Sequence, residues 1–284
     1  MSTPDFIVIG AMKCGTTTLA TQLGAQKGMF ITEPKEPNYF SDNHIFARGP
    51  AWYASLFEAA RPGDLRGEAS THYTKLPDLP QTLPRMKAAL SEVRLVYIIR
   101  NPMARLVSHY IHEWSQGILT GPLDADMIDR YTPLVNYGRY GMQIAPYLEA
   151  YGADAVLLTS LERLKRDEDV ELARIAAHIG HEGPVSWQPD LAETNVSAER
   201  IRKLPLHGLL VDNPIATALR RHLVPRSVRA RVREARRMKD RPAIPDEARD
   251  GLLRQFAEDR ALLAQTFPGD PSLDLAYPFP EMTA

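Results

Sequence analysis

The feature that most constrains this chain is its opening: the β-branched and aromatic run Phe6-Ile7-Val8-Ile9 passes through Gly10 into Ala11-Met12-Lys13-Cys14-Gly15-Thr16-Thr17-Thr18-Leu19. A short continuous apolar run reads as a strand buried on both faces of a parallel sheet. The segment from Gly10 onward reads as a glycine-containing turn that opens a helix. The run recurs as Leu95-Val96-Tyr97-Ile98-Ile99 and Ala155-Val156-Leu157-Leu158-Thr159, with a weaker strand over Leu65 to Glu68. Between the strands, helical patterns cover about Thr16 to Gln26, Pro102 to Gln116, Met142 to Tyr151 and Asp169 to Ile179. Strands alternating with helices predict an α/β fold, a central parallel β-sheet flanked by helices with right-handed crossovers. After about Asn195 the chain reads as mainly helical. The expected organisation is one domain over residues 1–284 with a basic helical region over about 200–284.

Composition narrows the class. With 44% apolar residues, 24% charged residues and a net charge of -1, the chain is an ordinary globular one. The single cysteine, Cys14, excludes an intramolecular disulfide and cysteine-rich metal sites. The first apolar run is too short for a signal peptide, and no stretch approaches the roughly 20 apolar residues of a membrane span. A cytoplasmic location is therefore expected. Arg220 to Arg241 carries ten Lys or Arg residues against two acids. Arg226, Arg229, Arg233, Arg236 and Arg237 recur there at helical spacing, which suits contact with an anionic membrane, an acidic acceptor or a solvated helix face. No nucleic-acid-binding motif accompanies them, so no nucleic-acid partner is expected.

The loop Gly10 to Thr18 has the composition of a phosphate cradle. Glycine permits tight backbone geometry, a helix start offers free N–H groups, the threonines add hydroxyls, and Lys13 adds a full charge. In the ATPase loop the lysine directly follows the second glycine; here Thr16 stands there and Lys13 precedes Gly15 by two positions. That departure argues against a nucleoside triphosphatase. A second anion site is legible at Arg100, which ends a buried strand where open α/β sheets bind ligands. Asn101 suits an N-cap and Pro102 a first helical residue. Met103, Leu106, Val107, Tyr110, Ile111 and Trp114 form an apolar face, leaving Ser108 near Arg105 and His112 at the edge of the other.

The segments Pro4 to Leu19, Lys35-Glu36-Pro37-Asn38-Tyr39-Phe40 and Arg100 to Ser108 together resemble the sulfotransferases, particularly the branch with the heparan sulfate and bacterial enzymes. Tyr137-Gly138-Arg139-Tyr140, Ser160-Leu161-Glu162-Arg163-Leu164 and Asn195-Val196-Ser197 are similar to later signatures. The resemblance implies a P-loop-like fold and transfer of a sulfuryl group from 3'-phosphoadenosine-5'-phosphosulfate (PAPS), leaving adenosine 3',5'-bisphosphate (PAP), with no metal required. It implies that Lys13, Cys14, Gly15, Thr16, Thr17 and Thr18 hold the 5'-phosphosulfate and that Arg100 and Ser108 hold the 3'-phosphate. Asn195, Ser197 and Arg202 would close over the nucleotide. Lys13 would stabilise charge on the bridging oxygen.

For the base, Glu36 matches a glutamate of the family's Lys-Glu-x-x-Phe-Phe segment, with Tyr39 in place of the first Phe. His72 is the competing base, since related cytosolic sulfotransferases use a histidine. On the acceptor side, Lys35 would keep Glu36 ionised, and Glu68 would orient the substrate or Lys13. Where the heparan sulfate enzymes carry a lysine after the corresponding glutamate, this chain has Ala69, which speaks against a polyanionic acceptor. The acceptor itself, a hydroxyl or amine on a sugar, lipid, phenol or small natural product, stays open, as do oligomeric state and O- versus N-sulfation. The alternatives are a magnesium-dependent P-loop kinase and a non-catalytic nucleotide-binding protein.

Overall fold

A computed structural model describes residues 3–191, 238 and 240–279. The strands are β1 (Phe6–Gly10), β2 (Met29–Ile31), β3 (Leu65–Ala69), β4 (Arg94–Ile99) and β5 (Val156–Ser160). They form one sheet in the order β2-β3-β1-β4-β5, and every pairing is parallel. The four strands expected from apolar runs are all present. The fifth, β2, pairs only with β3 at the sheet edge; three residues are too few to carry a readable period.

The central strands show why the runs are continuous. Phe6 through Ile9 and Leu95 through Ile99 are fully buried, because helices cover both faces of a parallel sheet. In the β1–β3 register Phe6 lies opposite Gly67. A Cβ at Gly67 would stand 2.2 Å from the Phe6 ring, so the glycine makes room for an aromatic on the central strand.

The helices are α1 (Thr16–Gly24), α2 (Asn43–Phe46), α3 (Gly49–Ser55), α4 (Thr82–Ala89), α5 (Pro102–Gln116), α6 (Ala125–Arg130), α7 (Pro133–Asn136), α8 (Tyr140–Tyr151), α9 (Leu161–Arg166) and α10 (Glu168–His178). Two more lie among the described residues, α11 (Asp246–Thr266) and α12 (Pro271–Ala276), and a 3-10 turn spans Thr71–Thr74. The helix α5 begins where its signals place it: Asn101 Oδ1 accepts from Ala104 N at 3.0 Å and Pro102 opens the helix. Gly117, with φ 80°, ends it.

The expected apolar face of α5 packs on the core, with Leu106, Val107, Tyr110 and Ile111 buried and Met103 and Trp114 against them, but burial extends beyond that face. Arg105 and His109 are completely or almost completely buried, at 0% and 1% exposure, whereas Met103 and Trp114 are only half-buried. Arg105 enters the interior because its guanidinium finds the Leu134 carbonyl, an acceptor on α7. Elsewhere α11 is tied to α8 by Asp259, whose carboxylate accepts from Gly141 N at 2.7 Å and Met142 N at 2.9 Å. One helix thereby satisfies the orphan donors at the start of another. The basic segment Arg220 to Arg237 lies outside the described residues.

Candidate active site

β1 is the central strand, and the chain turns to β2 and β3 on one side of it and to β4 and β5 on the other. The carboxyl ends of β1 and β4 therefore flank the topological switch point, the usual ligand crevice of an open α/β sheet. From β1 emerges the loop to Gly15; from β4 emerges Arg100. The two meet directly, because Arg100 Nη1 donates to the Lys13 carbonyl at 3.3 Å.

The loop is built to leave donors free. Gly15 sits at φ 91°, and a Cβ there would be 2.8 Å from Leu161, so both conformation and space require glycine. No side chain caps α1, and its first turn holds no acid. The N–H groups of Thr16, Thr17 and Thr18 stand where a helix supplies no carbonyl. Thr17 and Thr18 are half-buried and Thr16 is buried. Lys13 itself is held at φ 69°, an uncommon conformation for a side-chain-bearing residue. Burial holds the Lys13 ammonium below its ordinary value of 10.5, and Arg100 pushes the same way, against Cys14, Glu113 and Glu36.

Cys14 contributes no side chain to this cradle. Its thiol is buried, lies 3.5 Å from the Tyr140 hydroxyl, and is pushed up to about 11 by burial. Its N–H donates to Ala11 O at 3.2 Å, closing the loop on itself. Tyr140 also donates to the Arg100 carbonyl at 2.8 Å, so it braces both strand ends at once. Glu162 Oε1 accepts from Asn101 N at 3.0 Å, and Ser160 caps α9, which explains why the segment after β5 reads as a signature. Ser108 is half-buried two turns along α5, and its hydroxyl makes no hydrogen bond with the described residues.

Across the crevice stands the loop carrying Glu36. This residue too has a left-handed backbone, φ 62°, as does Asn38 at 53°. Such conformations cost about 1–3 kcal/mol each and are kept only where the surroundings enforce them. Here Glu36 N donates to Ala69 O at 3.0 Å, stitching the loop to the end of β3. The carboxylate is 2.7 Å from Lys35 Nζ and accepts from Thr71 Oγ1 at 3.3 Å. Burial raises its proton affinity, but Lys35, His72 and Lys75 outweigh this, and the group stays below its ordinary 4.5. His72, in the turn beside Thr71, is held below 6.5 by burial and by Lys75, with Glu36 and Asp42 opposing. Both candidate bases thus belong to one cluster.

Glu68 does not. It is 0% exposed, with Tyr53 OH donating to Oε2 at 2.6 Å, beneath an aromatic layer in which Tyr39 stacks on Tyr53 at 4.4 Å. Burial pushes it up to about 7 despite that hydrogen bond. Glu68, expected to orient the substrate or Lys13, lies in the interior bonded to Tyr53 and apart from the Glu36–His72 cluster. Tyr39, replacing a phenylalanine, joins the same layer.

Residues that local patterns leave unassigned complete the wall. Lys75 Nζ sits 5.4 Å from the Tyr137 ring, His109 stacks on that ring at 5.5 Å, and Glu113 Oε1 is 3.2 Å from His109 Nε2. Lys75, His112 and Glu113 lie within electrostatic reach of Glu36 or Lys13. The spacing 105, 109, 113 on α5, one polar stripe at helical period, is the sequence signal that marks two members of this group. Asn195, Ser197 and Arg202 lie outside the described residues.

Residues 3–206 match the family described as the sulfotransferase domain. The chain belongs to that family. Over 126 residues this sulfotransferase-family chain is 35% identical to the membrane-associated sulfotransferase kil1 of Dictyostelium discoideum, covering 43% of the chain and 26% of that protein. It is 25% identical over 185 residues to mouse heparan sulfate glucosamine 3-O-sulfotransferase 3B1, covering 62% and 46%. In both cases the match spans less than half of the relative's own length. A solved sulfotransferase from Alicyclobacillus acidocaldarius has the same fold, with a TM-score of 0.64 at 22% identity over 96% of this chain and 98% of that one. Among the described residues no helix is long and apolar enough to cross a membrane, and no group of His, Cys, Asp and Glu is arranged to hold a metal ion.

Proposed function

We propose that this sulfotransferase-family protein transfers the sulfuryl group of PAPS to a hydroxyl or amine. The observation that carries the reading is the meeting of Lys13 and Arg100 at the switch point, with uncapped N–H groups on one side and Glu36 on the other. A donor with two separated anionic groups suits two cationic strand ends. A linear triphosphate would not need the second, and family membership favours sulfuryl transfer over the magnesium-dependent kinase.

In this reading Lys13 and the N–H groups of Thr16 to Thr18 hold the 5'-phosphosulfate, and Arg100 and Ser108 take the 3'-phosphate. The acceptor oxygen or nitrogen bonds to sulfur as the bond from sulfur to the bridging oxygen breaks. The electron pair leaves on the 5'-phosphate of PAP, where Lys13 stabilises it, and the acceptor's proton passes to Glu36. Loose in-line transfer depends on positioning and charge stabilisation more than on covalent help from the protein. An ionised carboxylate on a fixed backbone supports Glu36 as the base; His72, neutral beside it, is the second reading.

Metal-free calorimetry with PAP, set against ATP with magnesium, tests the assignment. Saturable PAP binding that Arg100→Ala weakens is the expected result. A preference for magnesium-ATP would overturn it.

A further inference from the structure

We propose that Glu113 sets the charge selectivity of the acceptor side, accepting hydrogen bonds from uncharged or ammonium-bearing acceptors and turning polyanionic ones away. This inference rests on the sulfuryl-transfer reading and names the acceptor class within it.

The carboxylate is held by a directed chain along α5. Arg105 donates from one guanidinium nitrogen to the Leu134 carbonyl, and its other, Nη1, lies 3.4 Å from His109 Nδ1. Arginine can only donate, so Nδ1 accepts, which places the ring proton on Nε2. That proton faces Glu113 Oε1 at 3.2 Å. The ring is fixed from the side as well, stacked on Tyr137, whose hydroxyl donates to Asp78. Burial keeps His109 neutral, down to about 4, so it orients Glu113 without cancelling its charge. Oε2 accepts no hydrogen bond from the described residues, which leaves it available to a ligand. Glu113 is itself buried, at 6% exposure, so only a small part of the carboxylate is open to a ligand.

The surrounding charges decide which ligand suits that oxygen. Lys35 is taken up by Glu36 at 2.7 Å. Lys75 lies over the Tyr137 ring at 5.4 Å and feels the charges of Glu36, Glu113 and Asp78. Lys13 and Arg100 belong to the nucleotide. The acceptor side therefore has the two ammonium groups of Lys35 and Lys75 against the three carboxylates of Glu36, Asp78 and Glu113. The carboxylates outnumber the ammonium groups on this wall, and the fixed Oε2 would repel a sulfate or carboxylate on the acceptor. A hydroxyl or ammonium group instead finds an acceptor in place. Alone among the three acids, Glu113 has a buried chain behind it whose only visible product is its orientation.

The test uses the full-length protein saturated with PAP and a heparin tetrasaccharide as polyanionic probe, with binding read by calorimetry. The wild type is expected to bind the probe weakly. Glu113→Gln keeps the acceptor for His109 but loses the charge, and should tighten probe binding by about tenfold. Glu113→Asp restores the charge and should return binding to the wild-type level. The inference is overturned if the wild type binds the probe as tightly as Glu113→Gln does, and equally if neither binds. Absence of PAP binding would instead sink the sulfuryl-transfer reading, so the two failures are told apart. Thermal unfolding of each PAP complex checks that the variants are folded.

Discussion

The two walls of the crevice are made differently. The wall proposed for the nucleotide consists of strand ends, a glycine turn and a helix start, so its functional groups are largely backbone N–H with two cationic side chains fixed beside them. The wall proposed for the acceptor consists of ionisable side chains from the Glu36 loop, the turn after β3 and the flank of α5. The first wall has its backbone donors fixed by local conformation, and one long-range contact, Arg100 with the Lys13 carbonyl, joins its two strand ends. The second has chemistry that exists only through tertiary contacts, such as Glu36 with Thr71, Lys75 with Tyr137 and Glu113 with His109. In the proposed reading, selectivity for the acceptor therefore rests on the second wall.

Substitutions separate the walls by what they change. The largest effect is expected for Glu36→Gln, which should lower kcat by about 10²–10⁴ while leaving PAP affinity intact, measured by transfer of labelled sulfate and by calorimetry. Because its carboxylate is held below 4.5, the acid limb of kcat/KM should also lie below that pH. An unchanged kcat would hand the base role to His72 and break the assignment of the acceptor wall. Lys13→Ala should cost about 10²–10³ in kcat, since it removes a donor aimed at the leaving oxygen.

Arg100→Ala should act on binding instead. Loss of a charged hydrogen bond of about 1.5–3 kcal/mol predicts PAP binding weakened by roughly 10- to 100-fold. If PAP affinity did not move, the two-site picture of the nucleotide wall would break. The smallest effect concerns Glu68, which sits behind the acceptor wall. Its folded-state value of about 7 lies above the ordinary 4.5, so the native state binds the proton more tightly, and stability falls as pH rises between those values. The slope is at most about 1.4 kcal/mol per pH unit, and Glu68→Gln should flatten it in thermal melts across that range. A slope that persists in the variant would show that another group carries it.

Legibility from sequence divides along the same line. The runs Phe6 to Ile9 and Leu95 to Ile99, the glycine turn and the Asn101-Pro102 helix start are local patterns whose meaning does not depend on distant residues. The parallel sheet, the phosphate loop and Arg100 could all be read from them. Glu36 and His72 could be singled out one at a time, but not as neighbours, because residues 36 and 71 are joined by the β3 register and a loop that no period encodes. The burial of Glu68 was not legible for a related reason: strand alternation leaves open which face of β3 meets the aromatic layer until Tyr39 and Tyr53 are in position.

By itself, then, the sequence determined the fold class, the glycine loop and the start of α5, since strand burial, glycine conformation and helix capping act over a few residues. Only the tertiary structure decided the acceptor wall. It buried Arg105 and Cys14, turned Glu68 inward, and lined up Arg105, His109 and Glu113 behind the cleft. Whether a charged group is buried, paired or available depends on its distance from partners far along the chain, and that distance is a property of packing.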